Sequence, residues 1–162
     1  MEVHGIPEPT GWKDALTGLE GPDAWQRTLV AEVARAARYG HDLTIVVLEV
    51  EGILELQDEL GAAPARHALR ETAEALRREA RASDRCLRIG LTRLGVILAE
   101  TGEIAAINFV ERVREAMPGR VPAGDGRLRL SFGWASPRPG ESADAVVRRA
   151  DRRLADDLLR QL

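Results

Sequence analysis

The chain has almost no lysine or cysteine and few aromatic residues. Cys86 is the one cysteine among 162 residues, so no internal disulfide can form. A lone thiol fits a reducing compartment. Its neighbours read as a strand, so Cys86 is expected to be buried and inert rather than reactive. No apolar run reaches the roughly 20 residues that cross a bilayer. Residues 1–12 carry acids and prolines and lack the apolar core of a secretory leader. Together these features give a cytoplasmic expectation with no membrane insertion by this segment. Lys13 is the only lysine, and the formal net charge is −3. With no excess of positive charge, nucleic acid is not an expected partner. His4, His41 and His67 are scattered without ligand spacing, so neither a metal site nor a resident cofactor is expected. Aromatic residues make up 4% of the chain, and Trp12, Trp25 and Trp134 are read as packing anchors.

The remaining composition is that of a globular domain, with 44% hydrophobic and 30% charged residues. A chain of this length suits one domain and hides roughly 70% of its unfolded surface. Residues 1–13 read as an irregular lead-in and 14–162 as the domain, with no repeat or linker. Asp23 is a plausible N-cap for a helix from Ala24 to Tyr39, which Gly40 stops. Leu43 to Glu51 is β-branched and almost continuously apolar, the pattern of a strand covered on both faces. Ile53 to Leu60 reads as a short helix, and Pro64 opens a long one to Ala80.

Arg85 to Ile89 and Leu94 to Leu98 read as a β-hairpin turning near Gly90. A helix is expected from Glu103 to Met117, burying Ile104, Ile107, Val110 and Val113 and ended by Pro118-Gly119. A loop at Pro122 to Gly126, a strand from Leu128 to Ala135 and a last helix capped by Ser142 complete the order. Strands separated by helices predict a sheet with helices packed on its faces, of the ferredoxin-like or polymerase-palm kind.

Three constellations carry possible chemistry. Glu49 and Glu51 lie two apart on the first strand and so share a face near its C-terminal end. Paired carboxylates there suit divalent cations in phosphate chemistry, or are two solvated acids. The hairpin turn Gly90-Leu-Thr-Arg93 can offer backbone N–H groups to a phosphate, or simply connect two strands. Arg81-Ala-Ser-Asp84 pairs an arginine fork with an acceptor for guanine N–H groups, or forms a surface ion pair at a helix end.

Taken together, these segments resemble the GGDEF family, the diguanylate cyclase fold. Asp14-Ala-Leu-Thr-Gly-Leu19 resembles the family's D-x-L-T-G-L entry motif, and Glu49-Val-Glu51 stands where the family has D-x-D. Gln57, Asp58 and Gly61 resemble N-D-x-x-G, with glutamine in place of asparagine. Arg88-Ile-Gly90, Val96-Ile-Leu98 and Glu100-Thr101 resemble the signature hairpin, Ser131-Phe-Gly-Trp-Ala135 the S-I-G-V-A strand, and Ala150-Asp151 the last helix. The resemblance runs from Asp14 to Asp157. It implies an α/β fold with a palm-like mixed sheet of about five strands and helices on both faces. It also implies guanine nucleotide chemistry, since the family's cyclases join two GTP molecules into cyclic di-GMP across a dimer.

Departures from the family pattern shape the functional expectation. The signature reads Gly90-Leu91-Thr92-Arg93-Leu94, keeping only its first glycine. The resemblance places metal binding at Glu49 and at position 93, where Arg93 is a permanent cation that cannot ligate Mg²⁺. An Arg93–Glu49 ion pair is expected instead. Leu91 is expected to push a side chain toward the ligand. Gly61-Ala-Ala-Pro-Ala65-Arg66 replaces G-H-x-x-G-D, and Leu158 stands near a phosphate-binding lysine position.

Glu49, Glu51, Gln57, Asp58, Gly90, Leu91, Thr92 and Arg93 are therefore expected to form a vestigial nucleotide pocket. Arg81 and Asp84 have the R-x-x-D form and spacing of the family's inhibitory site. The resulting expectation is a domain that is not an enzyme: a regulatory or protein-interaction module of bacterial signalling. Its expected partners are cyclic di-GMP, GTP, a protein or a second copy of itself. A divergent metal-dependent cyclase is the alternative.

Overall fold

The structure, a computed structural model, describes residues 5–117 and 128–160. His4 and the expected segments at Pro118-Gly119 and Pro122 to Gly126 lie outside them. Among the described residues the order is α1 (Pro22–Tyr39), β1 (Leu43–Glu51), α2 (Ile53–Leu60), α3 (Ala62–Glu79), β2 (Arg85–Arg88), β3 (Arg93–Ala99), α4 (Glu103–Ala116), β4 (Arg129–Ala135) and α5 (Ala143–Arg160). The strands form one sheet of order β2-β3-β1-β4 in which every neighbouring pair is antiparallel.

The alternation of β1 explains why it lies at the centre. Val46, Leu48 and Val50 face one cluster with α2, α3 and α4, while Leu43, Ile45 and Val47 face another with α1 and α5. A strand apolar on both sides has no solvent face to offer, so it is covered twice. Each fully buried Leu, Ile or Val contributes roughly 1.5–3 kcal/mol. The α/β class and the helices on both faces therefore match the sequence reading.

The strand count is four rather than about five. The segment before α1 adds no fifth strand: it pairs with β2 through one isolated parallel bridge, Glu20 to Leu87, beside which Arg88 N–H donates to the Glu20 carbonyl at 2.8 Å. Two helix details also differ from expectation. Gly21 is the N-cap of α1, with Asp23 in the first turn, because Pro22 starts the helix one residue before Asp23. In α4 the buried face is Ala106, Phe109, Val110 and Val113, whereas Ile104 is 80% exposed. Ile104 and Ile107, one turn apart, lie off the face that carries Ala106, Phe109, Val110 and Val113, so they meet solvent instead of core.

Close packing of α5 needs Gly133. A Cβ at that position would stand 1.9 Å from the Ala150 carbonyl oxygen, so only glycine admits the helix this near to β4. The Ser142 cap holds, its hydroxyl accepting from Ala145 N–H at 3.2 Å. Along the outer side of β4, side chains take up the backbone groups. Arg114 Nη1 donates to Leu130 O at 2.9 Å, Phe132 N–H donates to Asp157 Oδ2 at 2.8 Å, and Arg153 Nη1 donates to Trp134 O at 3.1 Å.

Candidate functional site

The C-terminal end of β1 and the β2–β3 hairpin meet at one pole of the sheet. Antiparallel register sets Glu49 opposite Arg93 on one side and opposite Ser131 on the other. All three lie on the face covered by α5, because odd-numbered β1 residues point there. Arg93 Nε lies 3.5 Å from Glu49 Oε2, the ion pair expected from the sequence, and Arg93 Nη1 lies 3.4 Å from Asp151 Oδ1 on α5. The Thr92 hydroxyl donates to Glu49 Oε1 at 2.8 Å, while Glu49 Oε2 is buried with no hydrogen-bond partner. Ser131 donates to Glu51 Oε2 at 2.7 Å. Burial raises the Glu49 carboxyl above its ordinary range, with Thr92 and Arg93 opposing. Burial likewise raises Asp151, again opposed by Arg93.

The hairpin tip is anchored from below by Arg88, whose side chain is fully buried. Arg88 Nη1 donates to Asp14 Oδ1 at 3.0 Å, and its Nη2 donates to Pro7 O at 2.6 Å and Leu91 O at 2.8 Å. Asp14 is shared with its own turn, accepting from Thr17 N–H at 3.0 Å and Thr17 Oγ1 at 2.6 Å. Gly18 closes that turn at φ 75°, a left-handed conformation. One ion pair thus ties the turn at Asp14 to the hairpin across 74 residues of chain.

The other expected pocket residues divide. Gly90 N–H donates to Arg93 O at 3.2 Å and forms the tip with Leu91 and Thr92. Leu91 is partly buried and packs against the core cluster that α2, α3 and α4 share. Gln57 sits beside Gly5 of the lead-in, where a Cβ would lie 3.5 Å from its Nε2, and its Oε1 is buried without a partner. Asp58 is exposed on α2 and joins no ion pair or hydrogen bond among the described residues.

Arg81 and Asp84 border a groove of about 630 Å³ whose walls include Arg77, Arg85, Glu20 and Glu32. Asp84 is 2% exposed. Its Oδ2 accepts from Arg81 N–H at 2.8 Å, and its Oδ1 accepts from Ala99 N–H at 3.2 Å. It therefore holds the turn between α3 and β2 and the end of β3. Arg81 keeps 58% of its side chain in solvent while Nη2 donates to Ala99 O and Thr101 Oγ1. Cys86 on the same wall has its thiol pushed up to about 12 by burial.

The donor set near Glu49 does not fit a divalent cation. A guanidinium stands between Glu49 and Asp151, and no group of three or more His, Cys, Asp or Glu among the described residues could hold a metal ion. Asp151, Asp14 and the buried role of Arg88 were not foreseen as parts of this pole. Asp151 was visible only as the aspartate of Ala150-Asp151, and no local pattern joins it to Arg93.

The family model described as "Diguanylate cyclase, GGDEF domain" matches residues 12–158. The diguanylate cyclase DgcP of Pseudomonas aeruginosa is 31% identical over 144 residues, covering 87% of this chain and 22% of that protein. The crystal structure of the diguanylate cyclase SiaD of Pseudomonas aeruginosa, in complex with its activator SiaC, aligns with TM-score 0.82 at 27% identity over 91% of this chain and 58% of that one. The GGDEF domain of DgcB from Caulobacter crescentus, in complex with c-di-GMP, aligns with TM-score 0.82 at 22% identity over 93% of this chain and 91% of that one, which speaks for the fold alone. The chain spans between 22% and 47% of the first three curated relatives' lengths.

These relatives overturn the expectation that the chain is not an enzyme, because the family and the relatives it matches are cyclases. Glu49 and Glu51 both stand at the end of β1.

Proposed function

We propose, from the premise that this chain belongs to the GGDEF domain family, that it binds guanine nucleotides in cyclic di-GMP signalling and takes cyclic di-GMP in the groove beside Arg81. The observation that carries this reading is the groove itself. Arg77, Arg81 and Arg85 line it, and Arg81 keeps more than half of its side chain in solvent. A cyclic dinucleotide brings two phosphates and two guanine edges. Arginine forks match both, through bidentate contacts to phosphate or to the guanine O6/N7 edge. Asp84 acts as the anchor of Arg81 rather than as a ligand contact, since its carboxylate is enclosed. Titration calorimetry with cyclic di-GMP tests this. Wild-type protein is expected to bind, and Arg81→Ala to weaken binding by about tenfold or more. Wild-type protein giving no heat at millimolar ligand would remove the reading.

A second reading is GTP turnover at the β1–hairpin pole, favoured by the cyclase relatives. Chromatography of GTP incubated with the protein and Mg²⁺ or Mn²⁺ decides it. Formation of a cyclic dinucleotide that Glu49→Gln abolishes is the supporting result.

A further inference from the structure

Two helices on opposite sides of the sheet carry exposed faces of opposite charge. α1 packs Trp25, Leu29 and Val33 into the cluster it shares with α5. Its other side presents Arg27, Arg35 and Arg38 around Val30, Ala31 and Ala34, all exposed. Helical spacing sets Arg27, Ala31, Ala34 and Arg38 in one row. The acids of α1 are Asp23 in its first turn and Glu32, which lines the groove beside Arg81. On the far side of the sheet, α2 buries Ile53 and Leu56 and turns Leu54, Glu55, Asp58 and Glu59 to solvent. α2 has no basic residue. The α3 arginines that follow it, Arg66 and Arg70, donate to Gly5 O and Leu16 O instead. Val30 is 55% exposed and Leu54 47%, so each charged face has an apolar residue in it.

Elsewhere on the surface arginines find acids, as Arg77 does with Glu74, Arg112 with Glu79 and Arg153 with Glu103. Among the described residues, Arg27, Arg35, Arg38, Glu55, Asp58 and Glu59 join no ion pair; Arg38 lies only over the Tyr39 ring, at 5.5 Å. One chain cannot satisfy them from within, because the sheet stands between α1 and α2.

We propose that these faces are the two halves of one interface, through which α1 of one copy of this chain docks on α2 of the next. Three arginines meet three carboxylates. Arg35 and Arg38, one turn apart, match Glu55 and Glu59, also one turn apart, and arginine–carboxylate pairing is directional enough to fix the register. Leu54 enters where Ala31 and Ala34 leave room for a second helix to approach. The occupant is a second copy because the same chain carries both complementary surfaces. The contact joins unlike surfaces, so it builds a ring or an open row rather than a twofold dimer. Two short helix faces and exposed ion pairs make it weak and sensitive to salt. The inference goes beyond the nucleotide reading and does not depend on it.

Sedimentation velocity without nucleotide tests it, over a concentration series reaching about millimolar protein. Runs in about 0.02 M and about 0.5 M salt bracket weak and strong screening. Wild-type protein is expected to pass the dimer value at low salt and to lose about tenfold in apparent affinity at high salt. The variants Arg35→Glu with Arg38→Glu, and Glu55→Arg with Glu59→Arg, are each first shown folded by circular dichroism. Each alone should remain monomeric, because its two faces now carry like charge. An equimolar mixture should associate again, since every contact between unlike variants restores opposite charges. Wild-type protein that stays monomeric at low salt overturns the inference. So does association that persists in either variant alone, or a mixture that remains monomeric.

Discussion

Replacing Arg88 by methionine should be among the most damaging single changes in this domain. The guanidinium is fully enclosed and donates to Asp14 Oδ1, Pro7 O and Leu91 O at 3.0, 2.6 and 2.8 Å. Methionine fills similar volume but leaves Asp14, 4% exposed, as a buried carboxylate without its counter-charge. Breaking a buried pair from one side costs about 3–5 kcal/mol. For a chain of this size each kcal/mol moves the melting temperature by roughly 2–4 °C, so the expected loss is about 6–20 °C. Urea denaturation should show the midpoint falling with little change in slope. Lysine should not rescue, because one ammonium cannot reach three acceptors set in a fork. The paired change Arg88→Met with Asp14→Leu should recover part of the loss by removing the stranded charge, and a double-mutant cycle would measure the coupling. An Arg88→Met protein losing less than about 1 kcal/mol, the level expected of a surface pair, would refute this reasoning.

Other outcomes follow from the same geometry. Gly133→Ala should lower the melting temperature sharply, since its Cβ meets the Ala150 carbonyl at 1.9 Å and α5 must move; overpacking of this kind costs about 1–3 kcal/mol or more. Glu141 is held down to about 2 by its hydrogen bonds with Arg149. Its folded value lies below the ordinary 4.5, so its contribution is present above that pH and is lost as pH falls toward 2. Glu141→Gln should accordingly flatten the stability profile in that window, measured by urea melts at stepped pH. Cys86 should react with Ellman's reagent at pH 8 about 100-fold slower than a free thiol, because burial pushes it up to about 12; denaturant should restore the rate.

What the sequence made legible was whatever is written locally. β1 and α2 have the residues expected of them, because an apolar β-branched run bounded by Gly40 and Gly52, and a short helix between Gly52 and Gly61, are decided by neighbours. The Glu49–Arg93 pair was readable because the family resemblance brings positions 49 and 93 to one site, and their charges are opposite. Local pattern failed for α4, where a regular spacing from Ile104 onward marks a helix but not which of its faces meets the core. Nor does any local pattern show the burial of Arg88, which the approach of Asp14 from 74 residues away makes tolerable. Arg81-Ala-Ser-Asp84 is legible as a pattern, but that the Asp84 oxygens accept from Arg81 and Ala99 N–H groups depends on the end of β3 folding back beside it.

The seven-residue border strand β4 is armoured. Guanidinium and carboxylate groups from α4 and α5 already occupy the Leu130, Phe132 and Trp134 main-chain positions that an incoming strand would need. Recruitment by β-augmentation at that margin is therefore closed, and so is the edge-to-edge stacking that leads toward fibrils. Any version of the chain that ends before Arg153 would lose two of the three guards and acquire a sticky flank.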